Sequence, residues 1–346
     1  MSSPSGIKDL RPLALGEIID RSAIFWRAHL KPLFVLCLGF ELVNYIFAKG
    51  ITLFIERTNL FMQGNKVVEA RMKDDPTGVF SDLGKMMLAA TALWIVLIWS
   101  YWLATLVMTR YVVPLQLGQT ARPTDGLRRG LQRLGSFTGA YLLTLLWGLG
   151  IGLLLMLPGA ILFVLGSILG RSGSSSGAAL AGILILAGGG FLLILGMIGA
   201  FLWYFLRFAL LAPVFAMEDL SALAAFRRSG ALISGRVAPG FTGRVKVRAM
   251  ILFTAVSGIL IAVTLIFSLP SWIVRGAYGH LTDPAAAAAH PIPQAILVPV
   301  ELFQVLGQSI FTPMALVFSA MFYLDMRMRR EGLDLERRLD SLRPTA

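Results

Sequence analysis

Apolar residues fill six long stretches of the chain, and polar residues separate these stretches. A bilayer core about 30 Å thick is crossed by roughly 20 apolar residues in a helix. The stretches are continuous rather than alternating in polarity, which favours helices over the strands of a barrel. The pattern therefore predicts an all-α integral membrane protein with spans at about 32–55, 86–109, 137–168, 178–206, 249–272 and 294–324.

Basic residues distinguish the two sides of the membrane. Segments 1–31, 110–136, 207–248 and the tail after Asp325 carry 23 Lys and Arg, whereas the three intervening segments carry 7. An excess of Lys and Arg marks the cytoplasmic side, and the strict alternation leaves no room for an extra crossing. We therefore predict six spans, arranged as three hairpins, with both termini in the cytoplasm of a bacterial inner membrane.

Glycine and proline predict how the two longest stretches behave. Pro158 offers a kink in the span at 137–168, and the triplet Gly188–Gly190 offers a bend in the next span. Either span could instead tilt or project beyond the bilayer. Pairs of small residues at four-residue spacing predict close helix contacts, namely Gly148/Gly152, Gly166/Gly170 and Gly196/Ala200.

Composition agrees with a surface that faces lipid. Hydrophobic residues make up 56% of the 346 residues and charged residues only 14%, whereas soluble domains carry about 25% charged residues. The net charge of +12 is spread over four cytoplasmic blocks. Because no basic patch and no nucleic-acid motif is present, we expect no nucleic-acid partner. The domains are then a cytoplasmic tail with an amphipathic helix at 1–31, the membrane domain at 32–325 and a basic tail at 326–346.

A short motif recurs before the odd-numbered spans. It consists of an apolar residue, a charged residue, an Arg and a small residue, with another apolar residue five positions after the Arg. The three copies are Ile19–Ser22, Leu127–Gly130 and Phe226–Ser229. We predict that the segments around them, 19–34, 127–134 and 226–241, form amphipathic helices on the inner face of the membrane, each leading into a hairpin.

The arginines of this motif predict an inner-face platform. Arg21, Arg129 and Arg228 occupy the same motif position. Basic residues at a membrane surface attract anionic lipid headgroups by about 1 kcal/mol each. The platform would therefore bind membrane lipids or dock a cytoplasmic or membrane partner, while part of this charge simply fixes the topology.

Three segments carry a resemblance to a known family. They read LRPLALGEIIDRSAIFWRAHLKPLF at 10–34, LSALAAFRRSGALISGR at 220–236 and FYLDMRMRREGLDLE at 322–336. Together they resemble the bacterial glycerophosphoryl diester phosphodiesterase membrane-domain family. The resemblance implies a polytopic membrane module of unsettled role, which some members join to phospholipid-headgroup chemistry. The His-Arg-Gly motif of the phosphodiesterase domain is absent, so no enzyme activity is carried over.

The last span ends in an aromatic and charged cluster that predicts an interface anchor. Tyr323 is expected in the aromatic belt, and Arg327 and Arg329 on the cytoplasmic side. Asp325 can pair with Arg329 one helical turn away, and an exposed pair of this kind contributes only about 0.3–0.5 kcal/mol.

Polar residues inside the spans form a candidate intramembrane site. Glu41 and Asn44 lie one turn apart in the first span, and Glu301, Gln304 and Gln308 share a face of the last span. Ionisable groups are costly in a membrane and mark solute or proton paths. The alternative is a structural role, because hydrogen bonds between membrane helices also fix their packing.

Two enzyme-like patterns occur in the predicted outer loops. GSSSG at 173–177 matches a nucleophile elbow centred on Ser175, but it lacks the strand–turn–helix context. His280, Asp283 and His290 could bind a metal, although an alanine-rich spacer separates them. A linker and a polar loop explain both patterns better, so we expect no enzyme, no metal and no cofactor.

The sequence thus favours a protein without chemistry of its own. It would bind or organise phospholipid, or serve as a membrane subunit or scaffold for a partner, through the inner-face platform. The alternative is a proton-linked transporter of a small solute or lipid that uses Glu41 and the face of Glu301, Gln304 and Gln308.

Overall fold

The structure is a computed structural model that describes residues 11–57, 73–172, 176–279, 292–333 and 335. Within these residues the regular structure is helical and no strand occurs. The helices are α1 Leu15–Ala28, α2 Leu30–Arg57, α3 Pro76–Gln116, α4 Pro123–Ser172, α5 Ser176–Phe208, α6 Leu211–Met217, α7 Ala222–Ile233, α8 Val245–Ala277 and α9 Gln294–Glu331.

Six of the described helical segments are long and apolar enough to cross a membrane. They contain the six predicted spans, in α2, α3, α4, α5, α8 and α9, which confirms that prediction and indicates a multi-pass membrane protein. The 50 residues of α4 correspond to about 75 Å at 1.5 Å per residue. This helix is therefore much longer than a bilayer core is thick, and Pro158 lies inside it.

The structure treats the three copies of the repeated motif differently. The first and third lie in the separate helices α1 and α7, whereas 127–134 is part of the continuous helix α4 and forms no helix of its own. The small residue of each copy nevertheless faces a neighbouring helix. Ser22 and Ser229 are fully buried, and a Cβ atom at Gly130 would lie 3.3 Å from the Val107 side chain.

The chain divides into two compact units. The first unit comprises Met1–Leu131 and Ile251–Ala346, and the second comprises Gln132–Met250. In the first unit α9 is the central helix and contacts α1, α2 and α3. Its most apolar stretch is 67% buried, against 11–17% in the other five candidate spans. The last span is therefore the core of the unit rather than a lipid-facing anchor.

A buried carboxylate attaches the N-terminal segment to the end of α9. The Asp325 side chain accepts hydrogen bonds from the Leu13 backbone N–H at 2.9 Å and from Arg329 Nε at 3.0 Å. Arg329 Nη2 donates in turn to the Leu13 carbonyl at 2.7 Å. The pair thus satisfies both backbone groups of Leu13, and it fixes where α1 begins.

The other end of α1 is attached to the middle of α9. The Trp26 indole N–H donates to the Ile310 carbonyl at 2.8 Å. The neighbouring carbonyl of Ser309 has no helical partner, because Pro313 has no N–H. The two attachments make α1 run antiparallel along the C-terminal half of α9. We expected a helix lying on the membrane surface, but α1 belongs to the helical bundle of the first unit.

The predicted interface anchor is mostly buried. Tyr323 is fully buried rather than exposed in an aromatic belt, and Asp325 is 0% exposed. The expectation of an exposed Asp325–Arg329 pair is therefore wrong, because α1 covers this part of α9. Only the neighbouring pair between Arg327 and Glu331, at 2.8 Å, has the partial exposure expected of an interface.

Asp325→Asn should destabilise the protein because it leaves Arg329 without its counter-charge, and breaking a buried pair costs about 3–5 kcal/mol. Thermal unfolding in detergent measures this. Glu331→Gln removes the other i, i+4 pair of the same helix end and should cost less than about 1 kcal/mol. Equal losses for the two variants would contradict a special role for the buried pair.

In the second unit α4 and α5 are antiparallel and in close contact through glycines. A Cβ atom would lie 2.3–2.6 Å from backbone atoms of the opposite helix at five positions. These are Gly159, Gly166, Gly182, Gly189 and Gly196. Their seven-residue spacing is that of a left-handed helix pair. Of the residues predicted to make close contacts, Gly166 and Gly196 are among these five, whereas a Cβ atom at Gly152 would lie 3.9 Å from Ala200 and one at Gly170 would meet nothing within 4 Å. The close approaches therefore recur with a period of seven rather than four.

Gly189→Ala should push α4 and α5 apart, since the added Cβ would lie 2.4 Å from the Phe163 backbone nitrogen. The control is Gly188→Ala, whose Cβ would meet nothing within 4 Å. Because Ala favours a helix over Gly by up to about 1 kcal/mol, we expect the control to unfold at the same or a higher temperature. Equal stability of both variants would show that the glycine contact is dispensable.

Candidate functional site

A cavity of about 300 Å³ lies in the first unit and is lined by α2, α8, α9 and Leu97 of α3. All five residues of the predicted intramembrane site line it, namely Glu41, Asn44, Glu301, Gln304 and Gln308. Four further polar residues line it as well, namely Tyr45, Lys49, Thr52 and Arg275. Two sets of polar residues that are about 260 positions apart in sequence are therefore one site.

Helical periodicity brings the lining residues together. Along α2 the polar positions 41, 44, 45, 49 and 52 recur every three or four residues, and along α9 the positions 301, 304 and 308 do so. Such positions share one face of a helix. Because Lys49 contacts Glu301 and Glu41 hydrogen-bonds Thr312, the two faces are antiparallel and opposed.

One end of the cavity contains a compensated carboxylate. Glu301 accepts from Lys49 Nζ at 2.8 Å and from the Tyr45 hydroxyl at 3.0 Å, both through Oε2. Arg275 Nη2 lies 3.7 Å from Glu301 Oε1. Two cations thus lie beside a mostly buried carboxylate and compensate its charge. This cluster also joins α2, α8 and α9.

The other end of the cavity contains a carboxylate that no cation compensates within the described residues. Glu41 accepts a hydrogen bond from Thr312 and forms no ion pair in that part of the chain. The Asn44 Oδ1 atom is buried without a hydrogen-bond partner. Buried polar atoms in proteins are almost always satisfied by protein, water or ligand. This end therefore presents unused acceptors to whatever occupies the cavity.

Lys49, Tyr45 and Arg275 were not part of the predicted site. Lys49 lies inside the predicted span at 32–55, and the rule that flags Glu41 also flags it. Tyr45 follows Glu41 by one helical turn, so its place on the same face of the helix could also have been predicted from the sequence. No sequence signal places Arg275, because the approach of α8 to α2 and α9 is a tertiary feature.

The arginines of the predicted inner-face platform belong to different units of the chain. Arg21 and Arg129 belong to the first unit and Arg228 to the second. Arg21 pairs with Glu17 at 3.1 Å, and Arg228 pairs with Glu218 at 3.0 Å. Much of their charge is therefore compensated inside the chain, and the platform stays a prediction.

The remaining enzyme-like residues cannot be placed. Ser175 lies outside the described residues, and so do His280, Asp283 and His290. Both expectations about the outer loops thus stay predictions.

Comparison of the chain with protein-family models, with curated proteins and with solved structures found no match. The resemblance of the three sequence segments to a membrane-domain family accordingly stays a prediction, and the site has to be interpreted from its own geometry.

Glu301→Gln should destabilise the protein by about 2–3 kcal/mol, since in a mostly buried place Lys49 would lose a charged hydrogen-bond acceptor and Arg275 its ion-pair partner. Chemical or thermal unfolding in detergent measures this loss. Glu41→Gln is the matched control on the same cavity, and it should cost less than about 1 kcal/mol because no cation depends on Glu41. A larger loss for Glu41→Gln would contradict this assignment of the charges.

Proposed function

We propose that the protein binds a small, positively charged polar solute in the cavity of the first unit and carries it across the membrane. The volume of about 300 Å³ is at the lower end of the range for ligand pockets, which favours a small solute. Of the two functions that the sequence left open, this is the transporter alternative, and the geometry favours it.

The unequal compensation of the two glutamates carries the proposal. Glu301 has Lys49 and Arg275 as counter-charges, whereas Glu41 has only the Thr312 hydroxyl among the described residues. An uncompensated carboxylate in a low-dielectric site favours a bound cation or a proton. Asn44, Gln304 and Gln308 border the same space and offer amide oxygens to the N–H groups of an amine.

The position of the cavity favours transport over anchoring. It lies among helices that are apolar enough to cross a membrane, and ionisable residues at that depth commonly mark solute and proton paths. Since a proton and a cationic solute would neutralise Glu41 equally well, their exchange at this carboxylate would couple the two movements.

The setting that we propose follows from the charge pattern of the sequence. The protein would lie in a bacterial inner membrane with both termini in the cytoplasm, its spans forming three hairpins and α7 lying as an amphipathic helix at the inner face. In that orientation Lys49, Arg275 and Glu301 lie towards the outer side, and Glu41 lies deeper. We also propose membership of the membrane-domain family named above, without phosphodiesterase activity.

Phospholipid or partner binding at the inner-face platform is supported less well. Arg21 and Arg228 each have an acidic partner within the chain, which lowers their attraction for an outside anion. The platform therefore ranks second, as a feature of the surface rather than the main activity.

Binding of small cations to the purified protein tests the proposal. We would titrate ammonium, ethanolamine and putrescine, with acetate and glycerol as anionic and neutral probes, and follow heat or thermal stability. We expect at least one cation to bind, and Glu41→Gln to weaken it by about tenfold or more, since a charged hydrogen bond contributes about 1.5–3 kcal/mol. Glu331→Gln, a glutamate outside the cavity, should leave binding unchanged.

The same variants in proteoliposomes separate binding from transport. A pH-sensitive dye inside the vesicles should respond when the bound cation is added outside, and Glu41→Gln should abolish the response. Equal binding by wild type and Glu41→Gln, or preference for acetate, would refute the cationic solute. Binding without any movement of solute or protons would refute transport.

A further inference from the structure

Arg207, in the last turn of α5, lies in an aromatic cluster of the second unit. Its guanidinium carbon is 5.4 Å from the ring centre of Trp203 and 5.9 Å from those of Phe208 and Phe226. Aromatic faces attract a guanidinium group, and the attraction grows when the group is partly desolvated. The cluster thus gives the cation a fixed place, although it offers no hydrogen-bond acceptor in the ring plane.

The surroundings of Arg207 hold its side chain in this place. The Ser229 hydroxyl donates to the Arg207 carbonyl at 3.2 Å. The guanidinium group lies over Gly230, where a Cβ atom would be 3.6 Å from Cζ and from Nη2. The Phe208 ring in turn contacts Tyr204 at 5.3 Å. The side chain is therefore preorganised, unlike a free surface arginine.

The donors of this guanidinium group are unused. No hydrogen bond or ion pair of the Arg207 side chain occurs in the described part of the chain, and its Nε atom is buried without a partner. By contrast, Arg228 has Glu218, and Arg329 has Asp325. Leaving a buried donor unsatisfied is costly, more so for a charged group. The Nη atoms of Arg207 are not among the buried unpartnered atoms, so an anionic acceptor from outside the chain can reach them and compensate the charge of the group.

The neighbouring surface indicates where the anion comes from. Arg207 lies within the candidate span Gly177–Met217, so its ligand has to reach the level of the membrane. Trp147 of α4 contacts Phe226 at 6.1 Å, and Trp147, Phe201 and Leu202 are exposed apolar side chains. Such a surface suits acyl chains. Phosphate oxygens match the planar fork of a guanidinium group.

We propose that Arg207 binds the phosphate of a phospholipid headgroup, and that the acyl chains of this lipid lie along the exposed apolar faces of α4 and α5. The site is independent of the cavity in the first unit, and it uses none of the three platform arginines. The group that Arg207 would bind is a phosphate monoanion or diester. Two parallel N–H donors of the guanidinium group would hold it beside the aromatic rings.

Native mass spectrometry of the protein extracted gently from its membrane tests the site. The wild type should retain phospholipid, and Arg207→Gln should bind short-chain phosphatidylglycerol at least about tenfold more weakly, since even one charged hydrogen bond contributes about 1.5–3 kcal/mol. Arg207→Lys keeps the charge without the planar fork and should bind with intermediate affinity. Arg227→Gln is the matched control, because this neighbouring arginine of α7 is exposed and contacts none of these rings.

Each outcome decides the proposal. Unchanged lipid retention by Arg207→Gln, or equal losses for Arg207→Gln and Arg227→Gln, would overturn it. Inorganic phosphate provides the second arm: if it binds at Arg207 as tightly as the short-chain lipid does, the lipid source is wrong and the ligand is a free anion. If Arg207→Gln unfolds, Arg207→Lys takes its place in the comparison with Arg227→Gln. Lysine keeps the positive charge at position 207 but not the planar fork, so weaker lipid binding by Arg207→Lys than by Arg227→Gln would support the geometry, and equal binding would overturn it.

Discussion

Charge compensation along α9 is the constraint on which the first unit depends. This helix carries a carboxylate near each end. Glu301 is compensated by groups of α2 and α8, and Asp325 by Arg329 of α9 itself together with the backbone of the N-terminal segment. Asp325 binds Arg329 and the backbone of Leu13, while Glu301 binds Lys49, Tyr45 and Arg275. Because an isolated charge in a low-dielectric surrounding is very costly, these contacts determine where α1, α2 and α8 lie against α9.

In the second unit, glycine contacts rather than charged groups allow α4 and α5 to pack together. Between two apolar helices in lipid there is no hydrophobic gain, so close van der Waals contact has to hold them. Glycines at seven-residue spacing let the α4 and α5 backbones approach within contact distance. Apolar side chains on the outer faces of the same helices remain exposed, as lipid-facing positions do.

The candidate binding residues are buried polar groups that lack such partners within the described residues. Glu41 and Asn44 face a cavity with less compensation than their burial requires, and Arg207 offers donors that no carboxylate accepts within the described residues. Stability alone would favour a partner within the chain for each of these polar groups, as Glu301 and Asp325 have. The contrast between satisfied and unsatisfied polar groups therefore separates the structural residues from the candidate binding residues in this protein.

The sequence by itself determined the helical class, the six apolar spans and five of the polar residues of the cavity, because each depends on local periodicity and on the cost of polar groups in lipid. It did not reveal that Glu41 and Glu301 share one site, that Arg275 completes it, or that α1 covers Asp325 and Tyr323. Nor did it show that the third copy of the repeated motif lies in a separate helix, α7, whereas the second copy is part of the long helix α4. Only the tertiary structure decided these points, since they depend on which helices meet, and periodicity within one helix carries no information about its partner.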